Sequence, residues 1–322
     1  MGKKKQRSKK KKSRDHKTKK TRINKKQPIT QSAERSSTEP LGQPTVEKAS
    51  RGKALVDIIT PVYGSPNLLM GTIASIYLHP TDIPWHWWII DDCTPDDKGK
   101  ILLHDIYQEI SKDPNVDVLL NSQNLGFAGA NNAAVQQGNA PYIMLLNSDV
   151  RVTDQWLRPM VEEMESNYKA GVVGAKLIFF PEVHKPFRDG TNPRPAGKVQ
   201  HAGVAFNILR QPFHIHIGWK HDNPRLDKRK SLQAVTGAAL LTRRALWEKT
   251  GGLDLVYTQG NFEDIEYCLR VKDMGFEIIY RPDAVIYHYA GGSGNSLTAL
   301  RNAQIFLMRC GQAIISDEHR LY

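Results

Sequence analysis

Three groups of acidic residues stand where apolar runs end, and a carboxylate at such a point is free to hold a cation, bind a sugar hydroxyl or take a proton. Tyr142 to Leu146 leads into Asn147, Ser148 and Asp149, and Trp87 to Ile90 leads into Asp91 and Asp92. Gly260, Asn261 and Phe262 lead into Glu263 and Asp264, at the head of a helical pattern in which Ile265 and Leu269 share a face. Open α/β sheets bind ligands outside the carboxyl ends of their strands, where the first two groups would fall. Each group alone has a plainer explanation. Asn, Ser and Asp form turns and caps, and carboxylates in the first turn of a helix are stabilised by its dipole. Three such groups in one chain favour a shared site.

The elements that must position these acids alternate between strand and helix. Leu55 to Tyr63 reads as a buried strand stopped by Gly64, Ser65 and Pro66, and Leu68, Leu69, Ile73, Ile76 and Tyr77 mark the helix that follows. Trp87 to Asp91 is a second strand, Ile101 to Ile110 a helix, and Val116 to Leu120 a third strand. That order predicts an α/β fold with a mostly parallel sheet flanked by helices. The loop from Asn124 to Asn132 runs into a helix of small residues whose backbone amides can approach a ligand. It is neither a GxGxxG fingerprint nor a P-loop, which removes the main support for a nicotinamide or kinase function. His201, His214, His216 and His221 suggest a metal cluster. Alternation of Phe213, Ile215 and Ile217 instead predicts a strand with His214 and His216 on one polar, acceptor-facing side, and no cysteine lies nearby to complete a zinc site. Gly291 to Asn295 reads as a mobile loop or a linker to a last helix, Leu297 to Cys310.

The chain's 322 residues are enough for one large domain or two small ones, and its net charge of +12 is unevenly placed. Residues 1 to 26 contain 15 Lys and Arg against one acid, Asp15, so the remainder is nearly neutral. Low apolar content extends to about Lys53, which predicts a disordered Lys-rich tail over residues 1–53 and a folded domain over 54–322. The tail suits nonspecific contact with nucleic acid or with an anionic membrane surface, and the lack of aromatic residues among its lysines argues against base stacking. No apolar segment resembles a signal peptide or a membrane span, and Cys93, Cys268 and Cys310 are too scattered for a disulfide framework. A cytoplasmic protein, peripheral at a membrane through its tail, is the expectation.

Pro61-Val62-Tyr63, Asp91-Asp92, Asn124-x-Gly126 with Asn132, Asn147-x-Asp149 and Glu263-Asp264 occur in an order that resembles the family 2 glycosyltransferases of the GT-A fold. The resemblance covers about residues 55 to 310. It extends to a rhamnosyltransferase-like branch through Val199 to Val204, Val235 to Ala238 and Pro282 to His288.

What this resemblance implies is an inverting, metal-dependent transfer of a sugar from a nucleoside diphosphate to an acceptor hydroxyl. Asp149 matches the last carboxylate of the family's DxD motif, with His288 completing the shell of Mg²⁺ or Mn²⁺. Asn147 stands where many members have Asp, which would weaken metal binding without abolishing it. Asp264 matches the catalytic base, and a carboxylate beside Glu263 in a partly closed cleft is expected to hold its proton more tightly, with Glu263 orienting and capping. Pro61, Tyr63, Asp91, Asp92, Asn124, Gly126, Asn132 and Asn147 would line the nucleotide-sugar pocket, and Gly237 the acceptor side. Residues 54–150 would then be the nucleotide-binding half and 151–322 the acceptor and catalytic half. The donor would be a UDP-, dTDP- or GDP-sugar and the acceptor a glycan or lipid-linked glycan. The alternative is a noncatalytic GT-A-like binding protein that works through its basic tail.

Overall fold

The computed structural model describes residues 53–181, 195–290 and 296–320. The expectations placed on residues 1–26, and on Gly291 to Asn295, lie outside the described residues.

The chain opens with β1 (Val56–Val62), α1 (Pro66–Leu78), β2 (Trp85–Asp91), α2 (Lys100–Ile110), β3 (Val116–Leu120), α3 (Gly126–Val135) and β4 (Tyr142–Leu146). The middle comprises β5 (Val150–Val152), α4 (Arg158–Ser166), β6 (Ala170–Phe179), β7 (Val199–His201), β8 (Val204–Phe206), β9 (Pro212–His214), β10 (Lys230–Leu232) and β11 (Ala239–Arg243). It ends with α5 (Arg244–Thr250), α6 (Glu263–Asp273), β12 (Glu277–His288) and α7 (Ser296–Cys310). The main sheet has the order β10-β12-β6-β11-β4-β1-β2-β3, and both faces are covered. Along β4 the side chains alternate, with Tyr142, Met144 and Leu146 in one core beside α1, α2 and α4, and Ile143 and Leu145 in another beside α3, α5, α6 and α7. This explains why the sequence of β4 is apolar at every position. Each such fully buried side chain contributes about 1.5–3 kcal/mol.

The sheet is mixed rather than mostly parallel. Strands β3, β2, β1 and β4 are parallel, but β11 is antiparallel to both β4 and β6. The reason lies at the carboxyl end of β4, where the Asn147 N–H donates to Ala238 O at 3.0 Å. A chain entering the sheet there can only run back along β4. Among the described residues no helix is long and apolar enough to cross a membrane.

Candidate active site

The turn after β4 is fixed from below by α1. Leu69, Thr72 and Ile76 form its buried stripe. The Thr72 hydroxyl lies 2.8 Å from the carbonyl oxygens of Ser148 and Val150 and accepts the Val150 N–H at 3.1 Å. Asp149 is thereby held at the sheet edge. Strand β12 arrives beside it because His288 pairs with Val150 in the antiparallel β5–β12 register, and the Tyr289 N–H donates to Asp149 O at 2.9 Å.

His288 Nε2 lies 3.1 Å from Asp149 Oδ1 and 3.1 Å from Asn147 Nδ2, while its Nδ1 lies 2.7 Å from Gln200 Oε1. The Gln200 oxygen only accepts, so Nδ1 carries a proton and the ring is oriented with Nε2 toward Asp149. One nitrogen and one carboxylate oxygen facing the same point form a donor set that suits Mn²⁺ or Mg²⁺ when oxygens of another molecule complete the shell. Asn147 Oδ1, buried beside them, has no hydrogen-bond partner. Among the described residues no group of three or more His, Cys, Asp or Glu is arranged to hold a metal ion alone.

Asp264 lies in the first turn of α6, across the cleft end of β11. Its Oδ2 accepts the Gly237 N–H at 2.7 Å and its Oδ1 the Ile265 N–H at 2.8 Å, which leaves each oxygen a further lone pair. Gly237 therefore faces the acid itself. A Cβ there would come 3.1 Å from the Asp264 Cβ, so a side chain at this position would press on the acid. Ahead of α6, Gln259, Gly260, Asn261 and Phe262 all have φ between 60° and 85°, a run that costs its non-glycine members about 1 kcal/mol or more each. Helix α7 and α3 hold the segment in place. Asn302 Nδ2 donates to Thr258 O and Gly260 O at 3.0 Å each, and Asn132 exchanges hydrogen bonds with the backbone of Leu253 at 2.7 and 2.9 Å.

The surroundings raise the proton affinity of Glu263. Burial pushes it up to about 8, and the adjacent charge of Asp264 adds to the effect. Its Oε2 is buried without a hydrogen-bond partner.

On the other side of the cleft Tyr63 is 40% exposed at the end of β1, with the Lys98 ammonium 4.1 Å from its ring centre, and Pro61 is half-buried behind it. Three residues expected to line this pocket turn inward instead. Asp91 accepts the Thr94 N–H at 2.6 Å and the Tyr107 hydroxyl at 2.8 Å. Asp92 accepts Asn121 Nδ2 and the backbone N–H groups of Leu125 and Gly126, each at 2.8 Å. Asn132 holds Leu253. These groups shape the loop that carries Asn124 and Gly126, with Asn124 Nδ2 donating to Asp92 O at 3.2 Å.

The model of glycosyl transferase family 2 matches residues 57–249. The chain belongs to that family. RfbC of Myxococcus xanthus, an O-antigen biosynthesis protein, is 27% identical over 274 residues, which are 82% of this chain and 19% of RfbC. The chain spans between 19% and 40% of the length of the curated relatives it matches. Among solved structures, GalNAc-T7 with UDP, GalNAc and Mn²⁺ aligns at TM-score 0.59 and 16% identity over 80% of this chain and 48% of its own. The mannosyltransferase PcManGT of Pyrobaculum calidifontis with GDP-Man and Mn²⁺ aligns at 0.53 and 17% over 81% of this chain and 64% of its own. These likenesses establish the GT-A fold.

Several residues of this family 2 domain escaped the sequence analysis. Gln200 orients His288, and nothing in the three-residue strand β7, Val-Gln-His, sets it apart in the sequence. Thr72 and Asn302 show no signal beyond polar residues on otherwise apolar helix faces. The expected strand carrying His214 and His216 on one face stops at His214. His216 has φ 63° in the turn beyond, stacks 4.2 Å from Trp219 and lies 3.1 Å from Lys230 Nζ. Burial, with Lys230 and Arg225 nearby, lowers its pKa to about 4. A turn, not a strand, separates the two histidines, and they face different partners.

Proposed function

We propose that the domain transfers a sugar from a nucleoside diphosphate to an acceptor hydroxyl with inversion at the anomeric carbon. The observation that carries this reading is the placing of two acidic stations at one sheet end, Asp149 beside His288 and Asp264 beside Glu263. Asp149 Oδ1 and His288 Nε2 would hold Mg²⁺ or Mn²⁺, which supplies positive charge for the departing diphosphate.

The remaining steps belong to the chain itself. Gly237 N–H and Ile265 N–H fix the Asp264 carboxylate, whose remaining lone pairs take the proton of the acceptor hydroxyl as its oxygen bonds to the anomeric carbon. The electrons of the broken sugar–phosphate bond leave with the diphosphate. Glu263, kept protonated by burial, adds no second negative charge at the base. Tyr63 and Lys98 form the wall on the donor side, where the ring offers a face for a base and the ammonium a charge for phosphate. The UDP and GDP-Man of the two solved neighbours favour a UDP- or GDP-sugar as donor, with a dTDP-sugar as a further candidate, and the O-antigen role of RfbC favours a glycan acceptor, lipid-linked or free, within polysaccharide biosynthesis.

The test is nucleotide release from a panel of UDP-, GDP- and dTDP-hexoses and deoxyhexoses, with Mn²⁺ or Mg²⁺ and with EDTA. Release from one donor class that stops in EDTA is expected. Release unaffected by EDTA would contradict the metal assignment, and no release from any donor would contradict transfer.

A further inference from the structure

His201 is fully buried on β7, and His214 stands exposed at the end of β9. Their Nδ1 atoms are 2.7 Å apart, with ring centres 4.9 Å apart and planes at 79°. Two nitrogens at that distance hold one proton between them, so one ring donates and the other accepts. The backbone decides which. Thr236 N–H points at His201 Nε2 from 3.4 Å, so that nitrogen accepts and the His201 proton sits on Nδ1, donated to His214. His214 must then carry its own proton on Nε2, its outward nitrogen.

Burial favours the uncharged form of His201. The next amide along, Gly237 N–H, holds Asp264 Oδ2. Consecutive N–H groups of one turn thus fix the histidine pair and the proposed base together, and His214 lies within reach of the charges of both Asp264 and His288.

We propose that the His214 Nε2–H is an acceptor subsite that binds a second hydroxyl of the sugar whose first hydroxyl is deprotonated by Asp264. This inference rests on the sugar-transfer reading. A donor fixed in direction beside a base recognises a polyhydroxylated ring, not an isolated serine hydroxyl or a lipid phosphate. His201 is a positioning residue, because it sets the tautomer without reaching the acceptor.

Two measurements test it. In the full chain, donor hydrolysis by water is compared with transfer to p-nitrophenyl rhamnoside, galactoside and N-acetylglucosaminide. His214→Ala is expected to lower the transfer-to-hydrolysis ratio about tenfold by raising the acceptor KM, with partial recovery in His214→Gln, whose amide N–H can donate. An unchanged ratio, or intact hydrolysis without transfer to any sugar probe, would overturn the subsite. Imidazole ¹⁵N shifts of the wild-type protein are expected to show Nδ1–H on His201 and Nε2–H on His214, and the reverse tautomers would overturn the proposal. Absence of both hydrolysis and transfer in the wild type would reject the sugar-transfer reading and the subsite with it, whereas normal transfer with the reverse tautomers would reject the subsite alone.

Discussion

Glu163 and Glu263 are equally hidden, at 4% and 3% exposure, yet their surroundings push them in opposite directions. Glu163 receives Arg229 Nη2 at 2.7 Å and Nε at 2.9 Å, Arg281 at 3.1 Å and Asn167 at 3.0 Å. The Arg229 guanidinium is the main reason its pKa falls to about 2. Glu263 meets no cation that offsets its burial, and its closest charged neighbour is another carboxylate. Burial alone therefore says little about role; what matters is whether the fold supplies the counter-charge. Asp57 fits the Glu163 pattern, with Arg244 at 2.7 Å, Ala140 N–H at 2.8 Å and Trp88 Nε1 at 3.0 Å. Asp91 and Asp92 are held by neutral donors instead, a hydroxyl, an amide side chain and backbone N–H groups. Asp264, held by two backbone amides, and Asp149, beside His288, stand with Glu263 at the sheet end that the proposed site occupies.

If that division is correct, substitutions on its two sides will fail in different ways. The largest effect is expected from Asp264→Asn, which should cut transfer by about 10²–10⁴-fold in kcat while donor binding by calorimetry persists. A loss of thermal stability matching the loss of rate would instead class Asp264 as structural. Gln200→Leu should weaken Mn²⁺ binding about 10–100-fold through the loss of His288 orientation, read by electron paramagnetic resonance of free Mn²⁺. Equal binding in wild type and variant would remove Gln200 from the site.

Glu163→Gln should lower unfolding free energy by about 2 kcal/mol in urea melts, because Arg229 and Arg281 lose their charged acceptor. The smallest effect concerns pH. Glu163 binds its proton less tightly when folded, so its contribution is present above its ordinary 4.5 and is lost as pH falls from about 4.5 to 2. Glu263 binds its proton more tightly when folded, so stability declines as pH rises from about 4.5 to 8. Melting temperatures across that upper window should flatten in Glu263→Gln, and an unchanged slope would place the titration elsewhere.

Strands β1 to β4 were legible because they are short, mostly apolar runs bounded by Gly, Pro and Asn, and Asp91, Asp92 and Asp149 because they stand where those runs end. The antiparallel entry of β11 was not, since it follows from a backbone hydrogen bond between Asn147 and Ala238, 91 positions apart in the numbering. The same limit applies to Asp91 and Asp92. Their positions are strand-terminal as expected, but their oxygens meet Tyr107, Asn121 and the 125–126 amides, donors that a loop folding back supplies. No pattern of residue types announced the left-handed run from Gln259 to Phe262, because only Gly260 among the four is a residue that favours it. The histidines were visible as a group, yet their pairing depends on which one a single amide at Thr236 addresses.

The most direct test of the account is Mn²⁺ binding measured by electron paramagnetic resonance, with and without UDP, GDP or dTDP, in the wild type and in a variant combining Asp149→Asn with His288→Ala. One site that tightens with a nucleoside diphosphate and vanishes in the variant is the predicted result. Binding that survives in the variant, or that ignores every nucleotide, would contradict the claim that Asp149 and His288 hold the metal of a nucleotide-sugar site.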